Sequence, residues 1–77
     1  TLKLGVRLYH AKINCSDIKK AMHKEIHANP KIKIDYLSIA DYQSFEELNT
    51  NPISGPTIIS GAIFLDKVRL IDNILIT

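Results

Sequence analysis

The fold is decided by the stretch Val68-Arg69-Leu70-Ile71-Asp72-Asn73-Ile74-Leu75-Ile76, together with the apolar run 56–65 that precedes it. Both stretches are rich in Ile, Leu and Val, and each has the length of a strand. Only Asp66 and Lys67 separate them, so we expect them to pair as an antiparallel β-hairpin. Because an isolated hairpin is at best marginally stable in water, the rest of the chain must supply a third strand or covering helices.

A third strand is predicted over residues 31–39, where polar and apolar residues alternate with a period of two. Regular alternation places Ile32, Ile34 and Tyr36 on one face of this strand. It places Leu37 and Ile39 on the opposite face, with Lys33 and Asp35. The pattern predicts a strand packed on one face at its start and on both faces towards its end.

Two amphipathic helices are predicted before this strand. In the first, the apolar residues Leu2, Val6, Tyr9 and Ile13 fall on one helical face. Because no capping residue precedes this pattern, we expect the chain to be part of a larger protein.

The second helix is predicted to run to about Ala28, with an apolar face formed by Ile18, Ala21, Met22 and Ile26. Either Asn14 with Asp17, or Ser16 alone, can cap its start. Asn29-Pro30 ends it, because a residue before proline is driven out of the helical conformation.

A short third helix is predicted near residue 44, because Ser44 followed by Glu47 fits a capping box. Residues 49–56 are rich in Asn, Thr, Pro, Ser and Gly, which indicates a loop. The expected fold class is therefore α+β: a three-stranded antiparallel sheet with two main helices on one face and a short helix.

Length and composition allow one small domain, spanning residues 1–77. The hydrophobic content of 45% is ordinary for a globular protein. A single cysteine cannot form a disulfide within the chain, which favours a reducing, cytoplasmic setting. No apolar run has the length needed to span a membrane. The formal net charge of +2 is too small to indicate binding to nucleic acid or to an anionic membrane.

Two histidines are the first candidates for a chemical site. His23 and His27 are four residues apart on the second helix, a spacing that can bind a metal ion. Glu25 does not stand where a His-Glu-x-x-His motif requires it, and two ligands leave a zinc site half built. Adding Cys15 and His10 gives four ligands in no known spacing, so we predict no metal site.

Cys15 and His10 also raise the alternative of a thiol nucleophile with a base. We favour a passive thiol at a helix start, although a helix N-terminus can lower a thiol pKa. The chain has no Gly-x-Ser-x-Gly elbow and no glycine-rich phosphate loop. No catalytic residue is therefore predicted.

Arg69, Asp72 and Asn73 are the polar residues of the last strand. In a strand, Arg69 and Asn73 share one face and Asp72 points to the other. One interpretation is that they contact a ligand or another domain. We favour the alternative, an ion pair or a side chain-to-backbone hydrogen bond that fixes the hairpin.

These residues carry a family resemblance. The sequence Arg69-Leu70-Ile71-Asp72-Asn73 resembles the Arg-Leu-Ile-Asp-Asn sequence that closes pantoate–β-alanine ligases, also called pantothenate synthetases. Residues 34–41 resemble the Asp-Tyr strand of that family, Phe45-Glu46 its Leu-Glu pair, and Gly55-Pro56 the loop before its hairpin. Order and spacing agree from about residue 8 to residue 76. Asp66-Lys67, where the family often has glycine, and Tyr42, where proline is common, depart from the pattern.

The resemblance implies a two-domain cytoplasmic enzyme of which this chain is the C-terminal domain. The absent N-terminal domain would bind ATP and Mg²⁺ and carry a His-x-Gly-His motif, and the parent enzyme would be a homodimer. Pantoate would react with ATP to form pantoyl adenylate, and the amine of β-alanine would then displace AMP to give pantothenate. This chain would act as a lid and be inactive alone, because none of those catalytic motifs occurs in it.

The resemblance also suggests roles for individual residues. The family signature, for which a structural role is expected, comprises Asp35, Tyr36, Arg69, Asp72 and Asn73. We expect Lys67 and Arg69 to lie on the edge of the lid that faces ATP. The alternative function is a free-standing α+β interaction module that binds a partner through the hairpin edge or the lysine-rich helix. A nucleic-acid binder is disfavoured by the low charge and the scattered aromatic residues.

Overall fold

A computed structural model describes all residues from Thr1 to Thr77 and confirms the α+β class. The elements follow the chain in the order α1 (Leu2–His10), α2 (Cys15–His27), β1 (Ile32–Asp41), β2 (Thr57–Leu65) and β3 (Val68–Ile76). The strands form one antiparallel sheet in the order β1-β2-β3. Both helices pack on one face of this sheet.

The terminal hairpin has the predicted two-residue connection. Leu65 pairs with Val68, and the register continues without interruption to the pair Thr57 and Ile76. Asp66 adopts φ 55°, in the left-handed region, whereas Lys67 does not. Aspartate is one of the few residue types besides glycine that adopt this conformation readily, which explains how the turn forms without glycine.

The predicted alternation along β1 is wrong beyond Ile34, because the strand contains a β-bulge. Ile34 pairs with Ile63 and Tyr36 pairs with Ala62, so that Asp35 is an extra residue without a partner. A bulge changes the phase of a strand by one residue. Ile32 and Ile34 therefore lie on the helix-covered face together with Leu37 and Ile39. Regular alternation would place Leu37 and Ile39 on the opposite face.

The core lies between the two helices and the centre of the sheet. Its members are the buried residues Tyr9, Cys15, Ile18, Met22, Ile39 and Ile59. Gly5 allows α1 to approach α2 closely, since a Cβ atom at this position would lie 2.9 Å from the Met22 sulfur. The first helix ends at His10, so Ile13 lies beyond it and is 39% exposed.

The capping of α2 agrees with one of the two predicted alternatives. Asn14 is the N-cap residue, and its side-chain oxygen accepts a hydrogen bond from the Ser16 N–H at 2.9 Å. This bond satisfies one of the backbone donors that a helix leaves unpaired at its start. A further donor is satisfied from outside the helix, because the Cys15 N–H donates to the Thr50 carbonyl at 2.7 Å.

The short helix predicted near Ser44 is absent, and a turn occupies this position. Asp41 Oδ1 accepts a hydrogen bond from the Gln43 N–H at 2.8 Å, and Phe45 has φ 59°, which is incompatible with a right-handed helix. The capping box fails because the Glu47 carboxylate turns back towards β1, where Glu47 forms an isolated bridge with Ala40. Local propensity is overridden here by contacts distant in sequence.

One face of the sheet carries no helix, and we call it the open face. Its residues form cross-strand rows, which are Ala40–Ile58–Leu75, Ser38–Ser60–Asn73, Tyr36–Ala62–Ile71 and Lys33–Phe64–Arg69. The edge strand β3 is the most exposed element of the sheet: only Ile74 and Ile76 among its residues are partly buried. The second strand of the hairpin predicted to decide the fold is therefore the most exposed strand of the sheet, whereas the first strand, β2, is largely buried.

Candidate functional site

The signature residues Asp35 and Arg69 meet across the sheet on opposite edge strands. Arg69 Nε and Nη2 donate to the same Asp35 carboxylate oxygen at 3.0 and 2.8 Å. Both side chains are partly exposed, at 44% for Arg69 and 39% for Asp35. The ion pair spans the central strand, but its exposure limits its contribution to stability to about 1 kcal/mol or less.

The other signature residues lie on both faces of the sheet. Asp72 pairs with Gly61 on the helix-covered face, and Asn73 pairs with Ser60 on the open face. Asp72 Oδ1 accepts a hydrogen bond from the Asn73 backbone N–H at 2.8 Å, and no cationic side chain forms a salt bridge with it. Tyr36 lies on the open face and is 39% exposed.

Lys67 lies in the hairpin turn and is exposed. Its ammonium group takes part in none of the three salt bridges of the chain. By contrast, the guanidinium group of Arg69 is held by Asp35. Of the two residues expected at an edge towards ATP, Lys67 therefore carries the unpaired positive charge.

Glu47 anchors the connection between β1 and β2. One of its carboxylate oxygens accepts hydrogen bonds from Lys19 Nζ at 2.7 Å and from the Ile39 N–H at 3.0 Å. The other accepts from Ser38 Oγ at 2.6 Å. Partial burial by itself would raise the pKa of Glu47, but these donors, which favour the charged form, hold the pKa below its usual value.

Tyr9 anchors the other end of the same connection. Its hydroxyl lies 2.7 Å from the hydroxyl of Thr57 and accepts a hydrogen bond from the Ile53 N–H at 3.0 Å. Thr57 is fully buried at the start of β2. The phenol group thus connects the end of the long loop before the hairpin to α1.

The largest concave feature is an apolar groove of about 750 Å³ on the helix-covered side of the sheet. It lies between the start of α1, the end of α2 and the strand β3, and we call it the α–β3 groove. Ile26, Leu37, Ile63, Leu70 and Ile74 are among the apolar residues that line it. A second cavity of about 600 Å³ lies beside Tyr9 and the loop 51–55.

The candidate thiol and histidines are not brought together. Cys15 is fully buried, and this burial raises the pKa of its thiol, with an opposing contribution from Lys19. His23 and His27 stack on the exposed side of α2 with ring centroids 6.0 Å apart. No group of three or more His, Cys, Asp or Glu side chains is close enough to hold a metal ion. None of the helices has the length and apolar character required to cross a membrane.

Comparison with known proteins decides the family. The model of the pantoate–β-alanine ligase family matches residues 1–75. The chain belongs to the pantoate–β-alanine ligase family. It is 38% identical over 63 residues to the pantothenate synthetase of Caldicellulosiruptor saccharolyticus, an alignment that covers 82% of this chain and 22% of the relative. It is 43% identical over 61 residues to that of Fervidobacterium nodosum, covering 79% of this chain and 21% of the relative.

The pantothenate synthetase of Moorella thermoacetica is a further relative, 36% identical over 59 residues that cover 77% of this chain and 20% of the relative. The chain therefore spans about a fifth of the length of the curated relatives that it matches. Family membership confirms the resemblance seen in the hairpin and the Asp-Tyr strand.

The sequence does not predict the tertiary contacts of the two residues that anchor the connection between β1 and β2, Glu47 and Tyr9. The capping-box pattern predicts a helix-capping role for Glu47, whereas its partner Lys19 is 28 residues away. The helical pattern predicts only an apolar role for Tyr9, whereas its hydroxyl contacts Thr57, 48 residues away. No local pattern indicates either contact, because each depends on how distant elements pack.

Proposed function

We propose that this chain is the C-terminal lid domain of an ATP-dependent ligase. The parent enzyme would condense pantoate with β-alanine through pantoyl adenylate, giving pantothenate, AMP and pyrophosphate. The observation that carries the proposal is the family match over residues 1–75. It is supported by the lengths of the relatives, whose remaining four-fifths provide room for a separate nucleotide-binding domain.

The lid would protect a reactive intermediate. An acyl adenylate is prone to hydrolysis, and closure of a domain over it excludes water until the amine attacks. Such a lid must move as one body. The shared core of α1, α2 and the sheet, together with the Tyr9 and Glu47 anchors on the long loop, supports this rigidity.

Lys67 would be the main contact of the lid with the phosphates of ATP. It is a free ammonium group at the tip of a hairpin, whereas Arg69 nearby is neutralised by Asp35. Arg69 would therefore contribute to this edge only through the shape of the hairpin. The Mg²⁺ that accompanies ATP would be bound with it by the N-terminal domain.

The partners of the chain follow from this assignment. The direct partner would be the N-terminal domain of the same polypeptide, which would also mediate homodimer formation. Pantoate, β-alanine and ATP would be reached through that domain. The enzyme would act in the cytoplasm, in keeping with the single reduced cysteine.

Removal of the lid tests the proposal. The full polypeptide is compared with a version that ends before Thr1, and AMP and pantothenate are measured together. The intact enzyme is expected to release one AMP for each pantothenate. Without the lid, AMP should exceed pantothenate because the adenylate is hydrolysed. A truncated enzyme with unchanged rate and unchanged ratio of AMP to pantothenate would contradict the lid role.

The contact of Lys67 with ATP is tested separately. Lys67→Ala in the full polypeptide should raise the KM for ATP. The control Lys20→Ala, at an exposed lysine of α2, should leave this KM unchanged.

The exposure of β3 favours one second candidate, a free-standing module that binds a partner protein through this strand. The two candidates differ in what precedes Thr1. A His-x-Gly-His motif in the upstream coding sequence supports the ligase, whereas its absence supports the module.

A further inference from the structure

The half of β3 next to the hairpin turn has no buried side chain. Val68, Leu70 and Ile71 are all exposed there. At the other end of the strand, Ile74 is half-buried and Ile76 packs against the core. The half near the turn is therefore held to the sheet mainly by its backbone pairing with β2. Strand segments with few buried contacts open more readily than the core of a sheet.

The ion pair of Asp35 and Arg69 is the only salt bridge that joins this half of β3 to another strand. It reaches from one edge strand to the other over the central strand, a distance of about 10 Å between the strand axes. Both donor groups of Arg69 end on one carboxylate oxygen, at 3.0 and 2.8 Å. Because exposed ion pairs contribute little to global stability, we expect the effect of this pair at the strand that it holds.

The β-bulge in β1 places Asp35 between two cross-strand rows of the open face. The next residue, Tyr36, takes the position opposite Ala62, so that Asp35 has no partner in β2. Its carboxylate instead reaches Arg69, which lies one row nearer the hairpin turn than Ala62. Bulges are frequent next to functional sites, where they redirect a side chain. Here the redirected carboxylate holds a guanidinium group two residues from Lys67.

We propose that Asp35 is a positioning residue for the hairpin tip. By holding Arg69, it fixes the start of β3 and thereby the location of Lys67. The inference rests on the proposed function, in which Lys67 contacts the phosphates of ATP. Asp35 forms no salt bridge with Lys67 and acts through Arg69 alone.

Hydrogen exchange tests the structural part of this inference in the 77-residue chain, with NMR as the readout. In Asp35→Asn, the amides of residues 68–71 that bond to β2 should exchange about two- to fivefold faster, whereas the amides of residues 74–76 should keep the wild-type rate. The control Asp17→Asn removes an exposed carboxylate that forms no salt bridge, and it should change neither set of amides. Wild-type exchange at residues 68–71 in Asp35→Asn would overturn the inference.

Steady-state kinetics of the full polypeptide test the functional part. Asp35→Asn and Arg69→Gln should each raise the KM for ATP about two- to fivefold and leave kcat nearly unchanged. The double variant should be no worse than either single variant, because the two residues act as a unit. Asp35→Glu keeps the carboxylate and should restore most of the wild-type KM. A role in global stability alone would not separate KM from kcat in this way.

A direct contact of Arg69 with ATP gives a different pattern. Arg69→Gln would then raise the KM for ATP, whereas Asp35→Asn, which frees the guanidinium group, would lower it, and this result would overturn the inference. A wild-type KM in both variants, together with a raised KM in Lys67→Ala, would also overturn it. An unchanged KM in Lys67→Ala would instead refute the proposed contact of Lys67 with ATP, and the exchange rates at residues 68–71 would then decide whether Asp35 positions the tip.

Discussion

The hydroxyl of Tyr9 lies 2.7 Å from the hydroxyl of Thr57, which connects the first helix to the first residue of the central strand. Thr57 is completely buried, and the Ile53 N–H donates to the same phenol oxygen. A single polar group thereby fixes the end of a long loop at the place where the hairpin begins. The position of the hairpin relative to the helices depends on this contact as well as on the apolar core.

Tyr9→Phe should lower the free energy of unfolding by about 1 to 2 kcal/mol, because the Ile53 N–H loses its partner and Thr57 keeps only the Gly55 carbonyl at 3.3 Å. Urea unfolding followed by circular dichroism measures this loss. The matched control is Tyr42→Phe, since Tyr42 is 42% exposed. Its effect should stay within about 0.5 kcal/mol. Equal effects of the two substitutions would contradict the anchoring role of Tyr9.

Glu47 should make the stability of the chain depend on pH in the acid range. Its pKa is lowered in the folded state below the unfolded value of about 4.3, so the unfolded chain binds the proton more readily. The stabilisation is therefore complete well above that value and is lost as the pH falls through the folded pKa. Thermal unfolding from about pH 6 to pH 3 should show a decline that is shallower in Glu47→Gln.

The same substitution should cost about 1 kcal/mol near neutral pH, a modest value because the Glu47 side chain is 41% exposed. Glu46→Gln is the control, since the Glu46 side chain is exposed and accepts none of these hydrogen bonds. A Glu47→Gln chain with the wild-type pH profile would show that the Lys19, Ser38 and Ile39 contacts do not hold the loop.

The ion pair of Asp35 and Arg69 should be weakly stabilising. A double-mutant cycle of Asp35→Asn and Arg69→Gln is expected to give a coupling energy of about 0.2 to 1 kcal/mol, which decreases with added salt. The reason is the exposure of both side chains. A salt-independent coupling of several kcal/mol would contradict this reading of the contact.

Cys15 should be unreactive in the folded chain. Its side chain is fully buried and its pKa is raised, chiefly by that burial, so both access and thiolate formation are suppressed. Ellman's reagent should titrate about one thiol in denaturant and almost none under native conditions. Rapid reaction of the native protein would contradict the buried position.

Much of the fold could be predicted because its signals are local. Alternating apolar residues, the two-residue connection at Asp66 and Lys67, and the stop at Asn29-Pro30 each identify an element from a few neighbouring residues. The cap at Asn14 is one of the two alternatives that the local sequence predicts, and the structure contains it. Family membership could be predicted from the hairpin residues and the Asp-Tyr strand together.

The errors came where distant contacts compete with local preference. The bulge at Asp35 changes the phase of β1, and a periodic pattern read from the sequence cannot show where such a change occurs. The predicted helix at Ser44 is lost because Glu47 finds partners on α2 and β1. The α–β3 groove was not predicted, since it depends on how the two helices lie over the sheet.

We propose that this chain covers the reaction of another domain and performs none itself. The most direct measurement supplies ATP, Mg²⁺, pantoate and β-alanine to the 77-residue chain and, separately, to the full polypeptide, and quantifies pantothenate and AMP. The full polypeptide should produce both compounds, and the 77-residue chain should produce neither. Pantothenate formed by the 77-residue chain alone, or none formed by the full polypeptide, would contradict the claim.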